Sequence, residues 1–272
     1  MKFLSAKSQT RLAFAGLFIT VPLLAFSTVY AEEQSTSDQS KKLDSIRTIR
    51  KEKISAFRQS NPYVQVRIDS ISGTPKWLEG KLSEGLTKSD PVEIALEFFE
   101  RNKGIFGISQ PLSELRLERV RTGETGMKHV FFKQFYGGVE VWNGKINAHF
   151  TSKGKLDLVN GSLYPDIDIS TTPRVDVTFA EVKAKNDLPR KSKNVQMISS
   201  ELRVFPHQNN YYLVWLVKIH VDSPPGAWEY FIDANSGQIL HKANRIMRIN
   251  LKDNLTKGAF VIRVGQLIFF AT

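Results

Sequence analysis

Over residues 129–150 the sequence HVFFKQFYGGVEVWNGKINAHF alternates apolar and polar side chains. Such a period of two marks extended strands with one buried face, because successive side chains leave a pleated strand on opposite sides. Asn143-Gly144 is the strongest short hairpin signal in the chain, since both central residues of that turn need positive φ, and it predicts a turn there. With strands expected at 115–120, 130–136, 139–142, 146–150 and 156–164, the middle of the chain reads as an antiparallel meander.

A meander with one apolar face needs a cover, and the sequence supplies one upstream. Asp90 is a good N-cap, Pro91 suits the first helical turn, and Glu93 completes a capping box. Val92, Ala95, Leu96 and Phe99, widened by Phe98, form the inward stripe, and Gly104 is the expected left-handed C-cap. Shorter signals precede it: a helix over 46–57 carrying Ile46, Ile49 and Phe57, then a strand over 64–71 with Val64, Val66 and Ile68 on one face. Residues 165–173 (PDIDISTTP) read as a linker.

The pattern then restarts. Thr178 and Glu181 suggest a second capping box, with Phe179, Val182 and Leu188 inward. After a basic loop at 189–193, strands are expected at 202–205, 211–221, 228–233 and 239–240. The run YYLVWLVKIHV (211–221) is nearly continuously apolar and predicts a central strand. The fold class is therefore α+β: two small domains, 61–165 and 172–247, each an antiparallel sheet with a packed helix.

Lys2, Lys7 and Arg11 precede an apolar run at 12–26 and the small residues Val29 and Ala31. This is the pattern of a secretory signal peptide over 1–31, cleaved after Ala31. The apolar run is short for a bilayer span, so no stable membrane anchor is expected. A polar leader without regular structure is expected over 32–44, within a 32–60 segment that ends in the short helix, and 248–272 stays unassigned. Absence of cysteine excludes disulfides and a lipidated cysteine anchor. Without the signal's three basic residues the formal charge of +11 becomes 35 − 27 = +8, which suits an anionic envelope polymer as an alternative partner. Basic balance by itself, on an exported chain, does not argue for nucleic acid.

The chemistry that enzymes need is missing from the motifs. The five histidines include no pair at one-turn helical spacing and none followed by glutamate, so no zinc helix is predicted. There is no nucleophile elbow, phosphate loop or dinucleotide fingerprint. Asp166 and Asp168 lie in the linker. His129 and His149 border strands and are expected at the surface, and His220 lies in the central strand. No catalytic residue, metal site or cofactor site is predicted.

Three stretches carry a family resemblance. Phe132-Lys133-Gln134, Tyr136 and Gly138-Val139, with Gly144 and the later Val159-Asn160-Gly161, resemble the prosegment of thermolysin-like (M4 family) zinc metallopeptidases. Ala95-Leu96, Phe98-Phe99 and 104–108 (GIFGI) resemble the fungalysin/thermolysin propeptide (FTP) motif. Trp228, Tyr230, Ile232-Asp233-Ala234, Ser236-Gly237 and Ile239-Leu240 resemble the end of a PepSY domain. The resemblance implies a non-catalytic chain whose partner is a thermolysin-like catalytic domain, acting as its folding chaperone, its inhibitor, or both. It also implies a cleft-facing segment near 241–248, with His241, Asn244 and Arg245 in it. In that family a catalytic domain with a His-Glu-x-x-His helix follows the prosegment. Here 246–249 (IMRI) resembles the prosegment's exit, and 257–272 resembles nothing in the family. A truncated remnant of a peptidase precursor is thus the other implication.

Overall fold

Helix α1 (Leu23–Ser60) is the first element of the computed structural model, which describes residues 23–246, 262–264 and 267–269. The chain divides into two units, Met1–Ile49 and Arg50–Thr272. The signal segment expected over 1–31 lies outside the described residues through 22, and Ala31 falls within α1. The polar leader expected over 32–44 is helical instead. Its Glu, Gln, Lys and Leu residues are good helix formers, and intrahelical bonds need no apolar stripe. Asp44 accepts from Thr48 Oγ1 at 2.9 Å and faces Arg47 at 3.9 Å.

The second unit starts with the last turns of α1, where Ile54 is buried and Phe57 packs against the core. Asn61 closes the helix by donating from its side chain to the Phe57 carbonyl at 2.8 Å. Strands β1 (Gln65–Ile68) and β2 (Pro75–Glu79) pair antiparallel. Helix α2 (Pro91–Arg101) is capped by Asp90, which accepts from the Val92 and Glu93 amides at 2.8 and 3.2 Å. It buries Ile94, Ala95, Phe98 and Phe99, with Val92 and Leu96 at the margin. The expected stop at Gly104 is corrected. Asn102 interrupts the helix by bonding the Phe98 carbonyl, a further turn α3 (Lys103–Phe106) follows, and Gly107 takes the left-handed position at φ 66°. That geometry lets the Ile108 amide reach the Lys103 carbonyl at 3.3 Å.

A last short turn, α4 (Pro111–Glu114), leads into the meander β3 (Leu115–Thr122), β4 (Lys128–Tyr136), β5 (Val139–Phe150) and β6 (Leu156–Ser162). Phe99 meets Phe106 and Phe132 edge-on at 5.3 and 5.9 Å, at the centre of the helix–sheet core.

The second half repeats the plan with different packing. Helix α5 (Val177–Asp187) is capped by Asp176, whose carboxylate accepts from the Phe179 amide at 2.7 Å. The expected cap at Thr178 is therefore two residues late, and the buried face turns with it. Ala180, Ala184 and Leu188 face inward, while Phe179 and Val182 are half exposed. Strand β7 (Lys193–His207) begins well before residue 202, and β8 (Asn210–Ser223), β9 (Gly226–Asp233) and β10 (Ile239–Asn244) follow. Beyond them, β11 (Ile262–Val264) pairs with β12 (Leu267–Phe269).

All ten strands from β1 to β10 belong to one sheet, ordered β1-β2-β6-β5-β7-β8-β9-β10, with β3 and β4 branching from β5. The chain is α+β, and β8 is central to its half, between β7 and β9.

Candidate functional site

The join between the halves is built from the stretch that predicts a turn. The hairpin turn lies at Gly137-Gly138, with φ 52° and 84°, and Asn143-Gly144 sits inside β5. Lys133 pairs with Lys145 and Phe135 with Glu140, so 141–144 bulge opposite Gln134 alone. Asn143, at φ 61°, supplies the positive φ that the bulge needs. Gln134 is fully buried and behaves like a piece of strand. Its amide donates to the Tyr164 carbonyl and accepts from the Tyr164 amide, both at 2.8 Å. Freed by the bulge, Val141 pairs parallel with Val204 of β7. Gly144 is required by close approach, because a Cβ there would lie 2.8 Å from Gln134 Cβ.

The helical cores occupy one face of this sheet. The end of α1, α2 and α3 pack on the first half and α5 on the second. On the helix-free face, the first half presents Arg116 over Phe135 at 4.0 Å and Arg119 over Phe131 at 4.1 Å. Lys133 lies 3.2 Å from Glu140, which Arg203 of the other half approaches at 3.6 Å. This chain of charges makes the two halves' helix-free faces continuous.

In the second half the same face carries an aromatic layer. Phe205 stacks on Phe231 at 4.3 Å and on His207 at 5.2 Å, and Trp142 meets Phe231 edge-on at 5.1 Å. All five histidines of the chain lie on this face by strand parity: His129, His149, His207, His220 and His241. His129 and His149 are paired across β4 and β5 and half-buried, with Nδ1 atoms 2.6 Å apart. Burial, followed by the charge of His129, pushes the His149 pKa below its ordinary value, against the opposing pull of its bond to Asn160. His220 faces Asp222 at 3.2 Å. The sequence signal that could have gathered them is strand parity, which is readable only once the core faces are known.

The three predicted site residues fall at the end of the sheet's last strand, with His241 and Asn244 on opposite faces of β10 by parity and Arg245 just past it. His241 reaches into the aromatic layer, 5.6 Å from Phe231. Asn244 accepts from the Ala227 and Ile246 amides at 3.1 Å each. Arg245 donates from Nε to Glu229 at 2.7 Å and from its amide to the Ala227 carbonyl. The strand end is thus fastened, with its three side chains exposed. Ala31 is remote in sequence, on α1. Among the described residues, no group of three or more His, Asp or Glu is placed to hold a metal ion, and no helix is long and apolar enough to cross a membrane.

Residues 113–163 match the family model described as Fungalysin/Thermolysin Propeptide Motif, and residues 184–242 match Peptidase propeptide and YPEB domain. The chain is similar to a bacillolysin of Brevibacillus brevis, 26% identical over 205 residues that cover 71% of this chain and 39% of that protein. It is similar to a thermolysin of Alicyclobacillus acidocaldarius subsp. acidocaldarius, 28% identical over 183 residues that cover 64% and 33%. The chain thus spans about a third of the length of the curated relatives it matches, in their N-terminal prosegment region. The solved Bacillus megaterium YpeB C-terminal domain aligns at a TM-score of 0.32 and 13% identity, over 72% of this chain and 96% of that one.

Proposed function

We propose that the chain is an exported, non-catalytic prosegment-like protein that acts as folding chaperone, inhibitor, or both, of a thermolysin-like zinc metallopeptidase domain. The observation that carries this reading is the pair of propeptide matches, in order, over 113–163 and 184–242. The helix-free face is the docking surface in this reading. Its Arg-over-Phe pairs and aromatic layer offer flat apolar area with charges at the margins, which suits a protein partner. The exit strand β10, with His241, Asn244 and Arg245, then leads toward the substrate cleft.

The physics fits a secreted protease. Such enzymes survive by high unfolding barriers, and a high barrier also slows folding unless a partner stabilises the transition state. A preformed sheet face that binds native-like protease surface supplies that stabilisation without catalytic groups of its own.

The test is a titration of the chain from Glu32 onward against a purified thermolysin-like peptidase, with refolding of the denatured peptidase followed in parallel. Saturable inhibition or faster refolding is expected, weakened at least tenfold by Arg119→Glu on the face and by Arg245→Glu at the exit. A folded chain that neither inhibits nor assists refolding, and is steadily digested, sinks the reading. Export is tested separately by N-terminal sequencing of secreted chain, with Glu32 expected as the first residue.

A further inference from the structure

The His129–His149 pair has a geometry that neither docking nor the core requires. The two residues are directly opposite in the β4–β5 ladder, and their Nδ1 atoms are 2.6 Å apart. At that distance one ring donates and the other accepts. The surrounding bonds say which. Asn160 Oδ1 accepts from Asn147 Nδ2 at 3.0 Å and lies 3.3 Å from His149 Nε2. An oxygen cannot donate, so His149 carries its hydrogen on Nε2 and turns a lone pair at Nδ1 toward His129. The His129 hydrogen sits on Nδ1, between the rings.

We propose that His129 and His149 form a two-imidazole site for a borderline divalent transition-metal ion, with Asn160 as its orienting partner. Replacing the shared hydrogen by an ion needs only a tautomer change at His129, whose hydrogen moves from Nδ1 to Nε2. Both rings stay neutral, and both Nδ1 lone pairs then face the ion. Metal–nitrogen bonds of about 2.0–2.1 Å require the two nitrogens about 2.9–3.4 Å apart, so the rings open by less than about 1 Å. The Nε2–H of His149 on Asn160 is the outer hydrogen bond that ligating histidines usually make, and it holds the ring in the ligating tautomer. Both side chains are half-buried, which leaves water to complete the coordination.

The ligand set predicts the metal. Imidazole suits copper, nickel and zinc, with Cu²⁺ bound most tightly, whereas Ca²⁺ and Mg²⁺ demand oxygen ligands. Arg121, opposite His129 on β3, and Arg119 nearby further disfavour ions held by charge alone. An ion here would clip β4 to β5 near the end of their ladder, four residue pairs from the start of the bulge that joins the halves. The site stands on its own geometry, whether or not the face docks a peptidase.

The experiment is calorimetric titration of the full chain with Cu²⁺, Ni²⁺, Zn²⁺ and Mg²⁺ at pH 7.5. One ion per chain is expected for the first three, Cu²⁺ tightest, and none for Mg²⁺. Affinity should fall at least tenfold in His129→Gln and in His149→Gln, and several-fold in Asn160→Ala. The wild-type chain provides a check that needs no variant: substoichiometric Cu²⁺ should broaden the ring proton resonances of His129 and His149 first. Absence of binding, affinity within twofold of wild type in both histidine variants, or broadening centred on His207, His220 or His241 would overturn the site.

Discussion

The first half of the sheet buries its large rings on one face, and the second half buries rings on both. In the first, Phe98, Phe99, Phe106, Phe132 and Phe150 fill the space between helix and sheet, and the helix-free side is left to arginines lying over phenylalanine rings and to paired charges. In the second, α5 touches the sheet through Ala180 and Ala184, and the large rings Phe205, Phe231 and Trp142 cluster on the other side. The sheet supplies the bulk under α5 instead, with Tyr230, Ile219 and Ile232 buried and Trp215 and Trp228 packed against them. Apolar area, which drives folding at roughly 25 cal/mol per Å² buried, is thus drawn from both faces in the second half, with Phe205 and Phe231 adding to it opposite α5. The first half relies on its helix-side core, and the second adds to its own a layer on the helix-free face.

The sharpest test of that contrast is Phe99→Ala, which should cost about 4 kcal/mol, whereas Phe179→Ala on α5 should cost under about 1 kcal/mol. Of the chain's four tryptophans, Trp215 and Trp228 lie in the second half and Trp77 in the first, while Trp142 on β5 packs against Phe231 across the join. Urea unfolding followed by tryptophan fluorescence and by far-UV dichroism therefore distinguishes two outcomes. Coincident shifts mean that the shared β5–β7 pairing makes one cooperative unit. A fluorescence transition left in place would break the comparison into two independently stable halves.

Next in size is the tie between linker and helix. The Arg50 side chain is only 4% exposed and pairs with Asp166, the second residue of the linker segment, while also donating to the Ser72 carbonyl at 3.2 Å. Asp166→Asn leaves a buried guanidinium without its counter-charge and should destabilise by about 3 kcal/mol. Arg50→Met with Asp166→Asn should recover part of that loss, since the buried charge is then gone. Thermal denaturation of both variants measures it.

Smaller again is Gly144→Ala. The new Cβ would lie 2.8 and 2.9 Å from Gln134 Cβ and Oε1. Overpacking of this kind costs about 1–3 kcal/mol. The loss should appear as easier separation of the halves, read as faster amide exchange in β7 around Val204 than in β4 around Val130.

Much of this was legible in the sequence, and the misses have physical causes. Asp90 and the α2 stripe were readable because cap and periodicity agree, and 211–221 was readable because a continuous apolar run has no solvent side. Asn143-Gly144 misled because a hairpin and a bulge ask for the same positive φ, and Gly137-Gly138 met the turn's demand first. At α5, Asp176 and Thr178 were both chemically competent caps. The true one was decided by which face offered small residues to the sheet, and alanine carries no hydrophobic signal strong enough to say so. The helix-free face was invisible for a different reason. Its histidines, arginines and rings are scattered over 116–245, and only strand register puts them on one side.

The finest distinction between the halves is one of pH. Burial holds the His149 imidazole below its ordinary pKa of 6.5, so the folded chain favours its neutral form and the unfolded chain takes the proton first. By linkage, this group's contribution to stability is complete above pH 6.5 and is lost as pH falls through that value toward the lower folded pKa. Acid should therefore loosen the β4–β5 pairing of the first half before it affects the second. Urea midpoints at pH 7.5 and 5.5 should differ less in His149→Asn than in wild type, with exchange at pH 5.5 rising first at Val130 and Ala148. An unchanged pH difference in the variant would mean that the acid sensitivity belongs elsewhere on the face, and that the imidazole pair does not set the lower limit of the first half's stability.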